Sequence, residues 1–167
     1  MKKKIIVIFI LMLVANCRIP AQKNNIKVET INKAKLEEII KNRNGKILLL
    51  NLWATWCIPC RQEFPDIVKL SKEYKKKTLE IIAISLDYPE DIKTKIIPFL
   101  NSHNSDFKVY VNNFKNDEEL INFIDPKFTG AIPATVIYDS TGKKSLFIEG
   151  KKSYLEFKEA VDRVLEK

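Results

Sequence analysis

Two nearly continuous apolar segments constrain the fold of this chain more than any other feature of its sequence. The first is ILLLNLW at residues 47–53, and the second is LEIIAISL at residues 79–86. A strand with one face in water alternates apolar and polar residues, whereas an unbroken apolar strand is covered on both faces. The chain is therefore expected to form a sheet with helices packed on both of its sides.

Shorter segments alternate between strand and helix patterns along the rest of the chain. Strands are predicted over residues 27–31, 107–111, 134–138 and 144–148, and the last two flank a hairpin signal. Helices are predicted over residues 32–43, 59–74, 90–100 and 117–124. Asn44-Gly45 should end the first helix, Pro65 should kink the second, and Pro98 should disturb the end of the third.

A capping box formed by Ser153 and Glu156 predicts the start of a final helix. Its expected buried stripe consists of Phe157, Ala160, Val161, Val164 and Leu165. The order of all these elements predicts an α/β fold with a central mixed sheet and helices on both faces.

Composition limits the possible classes of function. The chain has 167 residues, enough for one domain, with a single His and three Cys. Three Cys are too few for a small disulfide-stapled fold, and one His makes a His-rich zinc site improbable. The net charge of +8 is the only hint of nucleic-acid binding.

The first 16 residues have the pattern of a signal peptide rather than of a folded element. Three lysines at positions 2–4 precede an apolar run over residues 5–15, which is shorter than the ~20 residues of a membrane-spanning helix. Cys17 follows in a context that resembles the lipobox of bacterial lipoproteins, although Asn16 departs from the usual small residue. We therefore expect a signal peptide over residues 1–16, lipidation at Cys17, a tether over 17–26 and a domain over 27–167. An ordinary cleaved signal or an uncut signal anchor is the alternative.

Removing residues 1–16, which hold three lysines and no acidic residue, lowers the net charge from +8 to +5. The remaining positive charge is spread over the predicted solvated helices, so nucleic acid is not an expected partner.

The sequence Cys57-Ile58-Pro59-Cys60 lies where the first buried strand passes into a helix. Unpaired N–H groups at a helix N-terminus favour a thiolate, which is the nucleophile of disulfide exchange. Cys60 lies one turn further on, where it can attack a mixed disulfide formed by Cys57. The alternatives are a fixed disulfide or half of a zinc site, for which only Cys17 and His103 remain as further ligands.

The motif N-x-W-A-T-W-C-x-P-C-R-x-E-F-P over residues 51–65 resembles the active site of TlpA/ResA-like thiol-disulfide oxidoreductases, which have the thioredoxin fold. A second match, GAIPAT over residues 130–135, corresponds to the segment that carries a cis-proline facing the Cys pair in such proteins. The resemblance covers about residues 27–166. It implies a thioredoxin-like fold and a redox-active Cys57–Cys60 pair.

The resemblance also implies roles for further residues. A cis-proline at Pro133 would let the backbone of Ile132 pair with a substrate strand beside Cys57, with Trp56 and Pro59 completing the binding surface. Glu63, three residues after Cys60, would exchange the Cys60 proton. Asn51 stands where thioredoxin itself has an aspartate, so Glu63 becomes the nearest candidate carboxylate.

The expected function is that of an extracytoplasmic oxidoreductase, lipid-anchored in a bacterial cell envelope and facing the periplasm or the exterior. Its partners would be envelope proteins with disulfides and a membrane electron donor, with no cofactor and no metal. The resemblance implies reduction as the direction. A disulfide oxidase or isomerase, and a non-catalytic thioredoxin-fold binding module, are the alternatives.

Overall fold

A computed structural model of the chain describes residues 26–74 and 78–166. The strands are β1 Val28–Ile31, β2 Ile47–Trp53, β3 Leu79–Ser85, β4 Lys108–Asn112, β5 Ala134–Tyr138 and β6 Lys144–Glu149. The helices are α1 Lys33–Lys41, α2 Ile58–Glu73, α3 Ile97–Ser102, α4 Asp117–Ile124 and α5 Tyr154–Leu165. The predicted signal peptide, the lipidation site Cys17 and all but the last residue of the predicted tether lie outside the described residues.

The six strands form one mixed sheet in the order β1-β4-β3-β2-β5-β6. Strands β1, β4, β3 and β2 run parallel to one another, whereas β5 pairs antiparallel with both β2 and β6. This arrangement confirms the predicted mixed sheet. It also brings the carboxyl ends of β2 and β3 to the same edge, with Trp53 opposite Ser85.

Strand β2 is buried along its whole length, as its composition predicts. Its even-numbered side chains, such as Leu50, belong to a core that includes Leu36 of α1 and Ile124 of α4. Its odd-numbered side chains face the opposite way, where Leu49 belongs to a core that includes residues of α2 and α5. Helices therefore cover both faces of the sheet, and each fully buried Leu stabilises the fold by about 1.5–3 kcal/mol.

The aromatic residues of the segment between β4 and β5 belong to this structure. Phe114 and Phe128 are buried in the core shared with α1 and α4, and Phe123 packs edge-on against Phe114. The segment thus fills the sheet face opposite α2.

The first helix ends earlier than its sequence predicts. Helix α1 stops at Lys41, and Asn44 and Gly45 follow in a turn where both have positive φ. The buried Arg43 explains the early end, because its guanidinium donates to the Ile39 carbonyl at 3.0 Å and to the Glu80 carboxylate at 3.0 Å. These contacts fold the chain back over the helix end.

The prediction of a single α-helix over residues 90–100 is wrong, because three helical segments of different types occupy this region. A 3-10 turn at Pro89–Asp91 and a π-helical segment at Ile92–Ile96 precede the α-helical Ile97–Ser102. Pro98 lies near the start of this last piece, and without an N–H it cannot make the regular α-helical hydrogen bond. The hydrogen-bonding pattern therefore changes immediately before it.

Helix α2 continues on both sides of Pro65, and the kink expected there stays a prediction. The capping box of α5 is present, and four of the five predicted stripe residues are buried. Leu165 is the exception, at 39% exposed. Because it is rotated by about 100° from its neighbour Val164 on the helix, only one of the two can face the sheet.

Candidate active site

The Cys pair lies at the carboxyl edge of the parallel strands, where β2 passes into α2. Cys57 is the N-cap residue of α2, and its Sγ accepts a hydrogen bond from the Cys60 backbone N–H at 3.3 Å. Pro59 follows in the first turn, where a missing N–H costs no helical hydrogen bond. The position of Pro59 agrees with the usual sequence pattern of a helix start.

Cys57 and Cys60 are joined in a disulfide, with Cα atoms 5.3 Å apart. Cys57 is 5% exposed and Cys60 1%, so Cys57 is the more accessible of the two residues. The neighbouring side chains of Trp56 and Ile58 are 65% and 66% exposed. The redox pair therefore lies just below the surface and is flanked by exposed apolar groups.

The loop before β5 meets the Cys pair from a distant part of the chain. The Ile132–Pro133 peptide bond is cis, as expected from the sequence. The Ile132 carbonyl oxygen lies 3.6 Å from Cys57 Sγ. The Gly150 N–H donates to the Pro133 carbonyl at 2.8 Å and ties this loop to the end of β6.

Glu63 is a buried carboxylate one turn beyond Cys60. It is 1% exposed, and its two oxygens accept hydrogen bonds from Asn51 Nδ2 and from the Lys152 backbone N–H, both at 2.9 Å. Burial raises the pKa of Glu63 to about 7, although both hydrogen bonds act to lower it. A group with this pKa exchanges protons readily at neutral pH.

Asn51 connects Glu63 to the neighbouring strand β5. Its Nδ2 also donates to Thr135 Oγ1 at 3.0 Å, while its buried Oδ1 has no hydrogen-bond partner among the described residues. The amide as placed donates to an ionised Glu63, and a rotated amide would present Oδ1 to a protonated one. Sequence reasoning singled out Asn51 and Glu63 but assigned no role to Thr135 or Lys152. Thr135 is the last residue of the GAIPAT motif, and Lys152 directly precedes the last capping box.

Two further residues of the motif over residues 51–65, and the single His, have other environments. Trp53 is fully buried against Phe64, with ring centroids 4.8 Å apart, and Arg61 is exposed on α2. His103 is the C-cap residue of α3, where its Nδ1 lies 2.8 Å from the Phe99 carbonyl. Within residues 26–74 and 78–166, no cluster of His, Cys, Asp or Glu is arranged to hold a metal ion.

Sequence reasoning also missed a buried carboxylate beside the site. Asp87 is 3% exposed and accepts hydrogen bonds from the Thr55 backbone N–H at 2.8 Å, Thr55 Oγ1 at 2.5 Å and Ser85 Oγ at 2.5 Å. Thr55 lies two residues before Cys57. An acidic residue directly after a buried strand, at the edge where the site forms, was the available signal.

Known proteins resemble this chain in sequence. A model of the AhpC/TSA family matches residues 18–143. The thiol-disulfide oxidoreductase ResA of Bacillus anthracis is 32% identical over 134 residues, which cover 79% of this chain and 71% of that protein. The thioredoxin-like protein YneN of Bacillus subtilis is 37% identical over 73 residues, covering 44% of this chain and 42% of that protein.

Solved structures resemble it in fold. A thiol:disulfide interchange protein of the thioredoxin family from Chlorobium tepidum superposes with a TM-score of 0.62 at 25% identity, covering 74% of this chain and 82% of that one. A thioredoxin-related protein from Neisseria meningitidis gives a TM-score of 0.61 at 27% identity, covering 72% and 86%. These similarities confirm the thioredoxin-like fold expected from the sequence.

Proposed function

This chain belongs to the AhpC/TSA family and is a TlpA/ResA-like thiol-disulfide oxidoreductase, and from this premise we propose that it reduces disulfides of partner proteins outside the cytoplasm. The observation that carries the proposal is the Cys57–Cys60 pair at the start of α2, facing the cis Ile132–Pro133 bond. The site thus combines the nucleophilic sulfur of Cys57 with a backbone segment that can hold the partner polypeptide.

The exchange proceeds in two steps. In the reduced protein, the Cys57 thiolate attacks one sulfur of the partner disulfide, which forms a mixed disulfide and releases the first partner thiolate. The Cys60 thiolate then attacks Cys57 Sγ, which forms the Cys57–Cys60 disulfide and releases the second partner thiolate. Two electrons pass from the dithiol to the partner, so the reaction needs no cofactor.

Glu63 is the proposed acceptor of the Cys60 proton. It lies on the same side of α2 as Cys60, three residues away, and its pKa of about 7 leaves a substantial fraction ionised at neutral pH. A base beside the buried thiol favours formation of the attacking Cys60 thiolate. In the reverse reaction the same carboxyl would protonate the departing Cys60 thiolate, so the proposed reducing direction rests on the resemblance to the TlpA/ResA-like group.

The partner polypeptide is proposed to bind across the cis-proline loop. An extended segment pairs with the backbone of Ile132, which places its sulfur next to Cys57 Sγ. The rest of this binding surface comprises Pro133, Trp56 and Pro59. The 65% exposure of Trp56 supports its assignment to an outward-facing contact.

The proposed location is the envelope of a bacterium, facing the periplasm or the exterior. It rests on the sequence of residues 1–16 as a signal peptide, with Cys17 as a lipidated anchor, residues 17–26 as a tether and 27–167 as the domain. A membrane protein would then resupply electrons to the Cys57–Cys60 disulfide. In the described part of the chain, no helix has the length and apolarity needed to cross a membrane.

The test is a trapping experiment with the Cys60→Ser variant of the full chain. Without the resolving thiol, the mixed disulfide on Cys57 should accumulate, and mass spectrometry of the trapped species identifies the partner. Cys57→Ser is the control, because it retains Cys60 but should trap nothing.

A second measurement separates reduction from oxidation. The equilibrium potential of the Cys57–Cys60 pair against glutathione should lie toward the reducing end, near the roughly −270 mV of thioredoxin. A value near about −120 mV would instead support an oxidase. Equal trapping by Cys60→Ser and Cys57→Ser would exclude the proposed roles of the two sulfurs.

A further inference from the structure

Two loops leave the same edge of the sheet side by side. Strands β2 and β3 are parallel and in register, with Trp53 opposite Ser85, so the segment after each strand emerges next to the other. The first segment leads to Cys57, and the second leads to Tyr88. Contacts between these two segments therefore decide the shape of the surface around the redox pair.

Exposed apolar side chains are concentrated at this edge. Five large hydrophobic residues are exposed in the described part of the chain, and three of them are Trp56, Ile58 and Tyr88. Tyr88 is 70% exposed, although it directly follows the buried Asp87. Large aromatic side chains left in water next to a reactive group are typical of a surface that contacts a polypeptide partner.

Asp87 is the link between the two loops. One carboxylate oxygen accepts from the Thr55 backbone N–H and from Ser85 Oγ, and the other accepts from Thr55 Oγ1. Two of these three bonds therefore hold the neighbouring loop, and the third holds the end of its own strand. The Asp87 backbone N–H also donates to Ser85 Oγ at 3.1 Å, which closes the network on β3.

The buried Asp87 carboxylate needs hydrogen bonds in place of the water that it has lost. A charged group removed from water is tolerated only where hydrogen bonds replace its hydration, and the donors to Asp87 supply them. The same bonds tie Thr55, directly before Trp56, to the residue directly before Tyr88. Neither Asp87 nor Thr55 takes part in the exchange chemistry proposed above.

We propose that Asp87 is a positioning residue that holds the Trp56 loop against the Tyr88 loop and thereby forms the surface that receives an apolar side chain of the partner polypeptide next to its target disulfide. This inference rests on the proposed function. It predicts that loss of the Asp87–Thr55 bonds impairs reduction of a protein disulfide more than reduction of a small disulfide, which needs no such surface.

The experiment compares two substrates in single turnovers of the pre-reduced full chain. Insulin serves as the protein disulfide and bis(2-hydroxyethyl) disulfide as the small one, and the second-order rate constant is measured for each. In Asp87→Ala the ratio of the insulin rate constant to the small-disulfide rate constant should fall about tenfold. This fall corresponds to about 1.4 kcal/mol, which lies within the range that one hydrogen bond contributes. The variant should bind insulin more weakly, so that a higher insulin concentration is needed to saturate the rate.

Two further variants keep the test decisive if Asp87→Ala fails to fold. Thr55→Val preserves volume and the backbone N–H while removing only the Oγ1 bond, so the ratio should fall about threefold. Ser85→Ala is the matched control, because it removes the two hydrogen bonds between Ser85 Oγ and Asp87 without removing any bond to the Trp56 loop, and it should lower the ratio less than Thr55→Val does.

The outcomes separate this inference from the proposed function. A folded Thr55→Val protein with an unchanged ratio, or one in which both rate constants fall equally, would overturn the positioning role. A ratio that falls equally in Ser85→Ala and Thr55→Val would also overturn it. If the unaltered protein reduces neither disulfide, the proposed function itself fails.

Discussion

Replacing Glu63 with glutamine should change how the stability of the protein depends on pH. The side chain keeps its shape, and the new amide can accept from the Lys152 N–H and donate to the partnerless Oδ1 of a rotated Asn51 amide. The substitution therefore removes an ionisable group, but the rotated Asn51 Nδ2 loses its bonds to Glu63 and Thr135 and takes the position where Oδ1 has no partner among the described residues. That cost does not vary with pH, so the pH dependence of the effect should come from the lost titration.

The direction follows from the pKa of Glu63 in the two states. Burial raises this pKa to about 7 in the folded protein, from 4.5 for an ordinary glutamate. Between these values the folded state binds more protons than the unfolded state, so stability falls as the pH rises from about 4.5 to about 7. The full loss is about 3 kcal/mol, because one pKa unit corresponds to about 1.4 kcal/mol.

Urea unfolding of the disulfide-bonded protein at pH 4 and pH 8 measures this effect. The difference in unfolding free energy between Glu63→Gln and the unaltered chain should shift by about 3 kcal/mol in favour of the variant at pH 8. Other titrating groups cancel in this difference. Glu118→Gln, at an exposed position of α4, is the control and should shift by less than about 1 kcal/mol. A difference for Glu63→Gln that does not vary with pH would refute the reasoning.

Two further predictions concern the framework of the fold. Gly142→Ala should lower the unfolding free energy by more than the roughly 1–2 kcal/mol that a left-handed conformation costs, because the new Cβ would lie 2.4 Å from the Ile40 carbonyl oxygen. Gly45→Ala, at φ +77 with open space around it, should lose only the free energy that the left-handed conformation costs. Equal losses of stability for Gly45→Ala and Gly142→Ala in a thermal melt would contradict the predicted clash. Glu156→Gln should destabilise the protein at pH 7, because hydrogen bonds from the Ser153 N–H and hydroxyl lower the pKa of Glu156 to about 2. This stabilisation is present above pH 4.5 and is lost as the pH falls toward 2, so the variant and the unaltered chain should converge in acid unfolding curves, and a gap that persists at pH 2 would be inconsistent with it.

Local patterns in the sequence were sufficient for most of the framework. An unbroken apolar run predicts a strand covered on both faces, and β2 is buried at every position. The spacing of Cys57 and Cys60, with a proline between them, places both at the first turn of a helix, and helical periodicity puts Glu63 one turn beyond Cys60. These properties depend on neighbours within a few residues, which the sequence displays directly.

The errors arose where distant groups altered local preference. Arg43 leaves the helix register because Glu80 and the Ile39 carbonyl bind its guanidinium, and these contacts link α1 to β3. Asp87 had no assigned role, since its partner Thr55 lies 32 residues earlier in the chain. Periodicity reports whether a side chain is buried, but it does not report which group will face it.

The chemistry of the site depends on such distant contacts. Only the tertiary structure brings the Ile132 carbonyl to Cys57, across 75 residues, and the Lys152 N–H to Glu63, across 89. The sequence by itself determined which residues are reactive and on which elements they lie. The packing of those elements decided that Glu63 is shut off from water and has a pKa of about 7, because the cost of ionising a carboxyl group depends on its surroundings and not on its position in the chain.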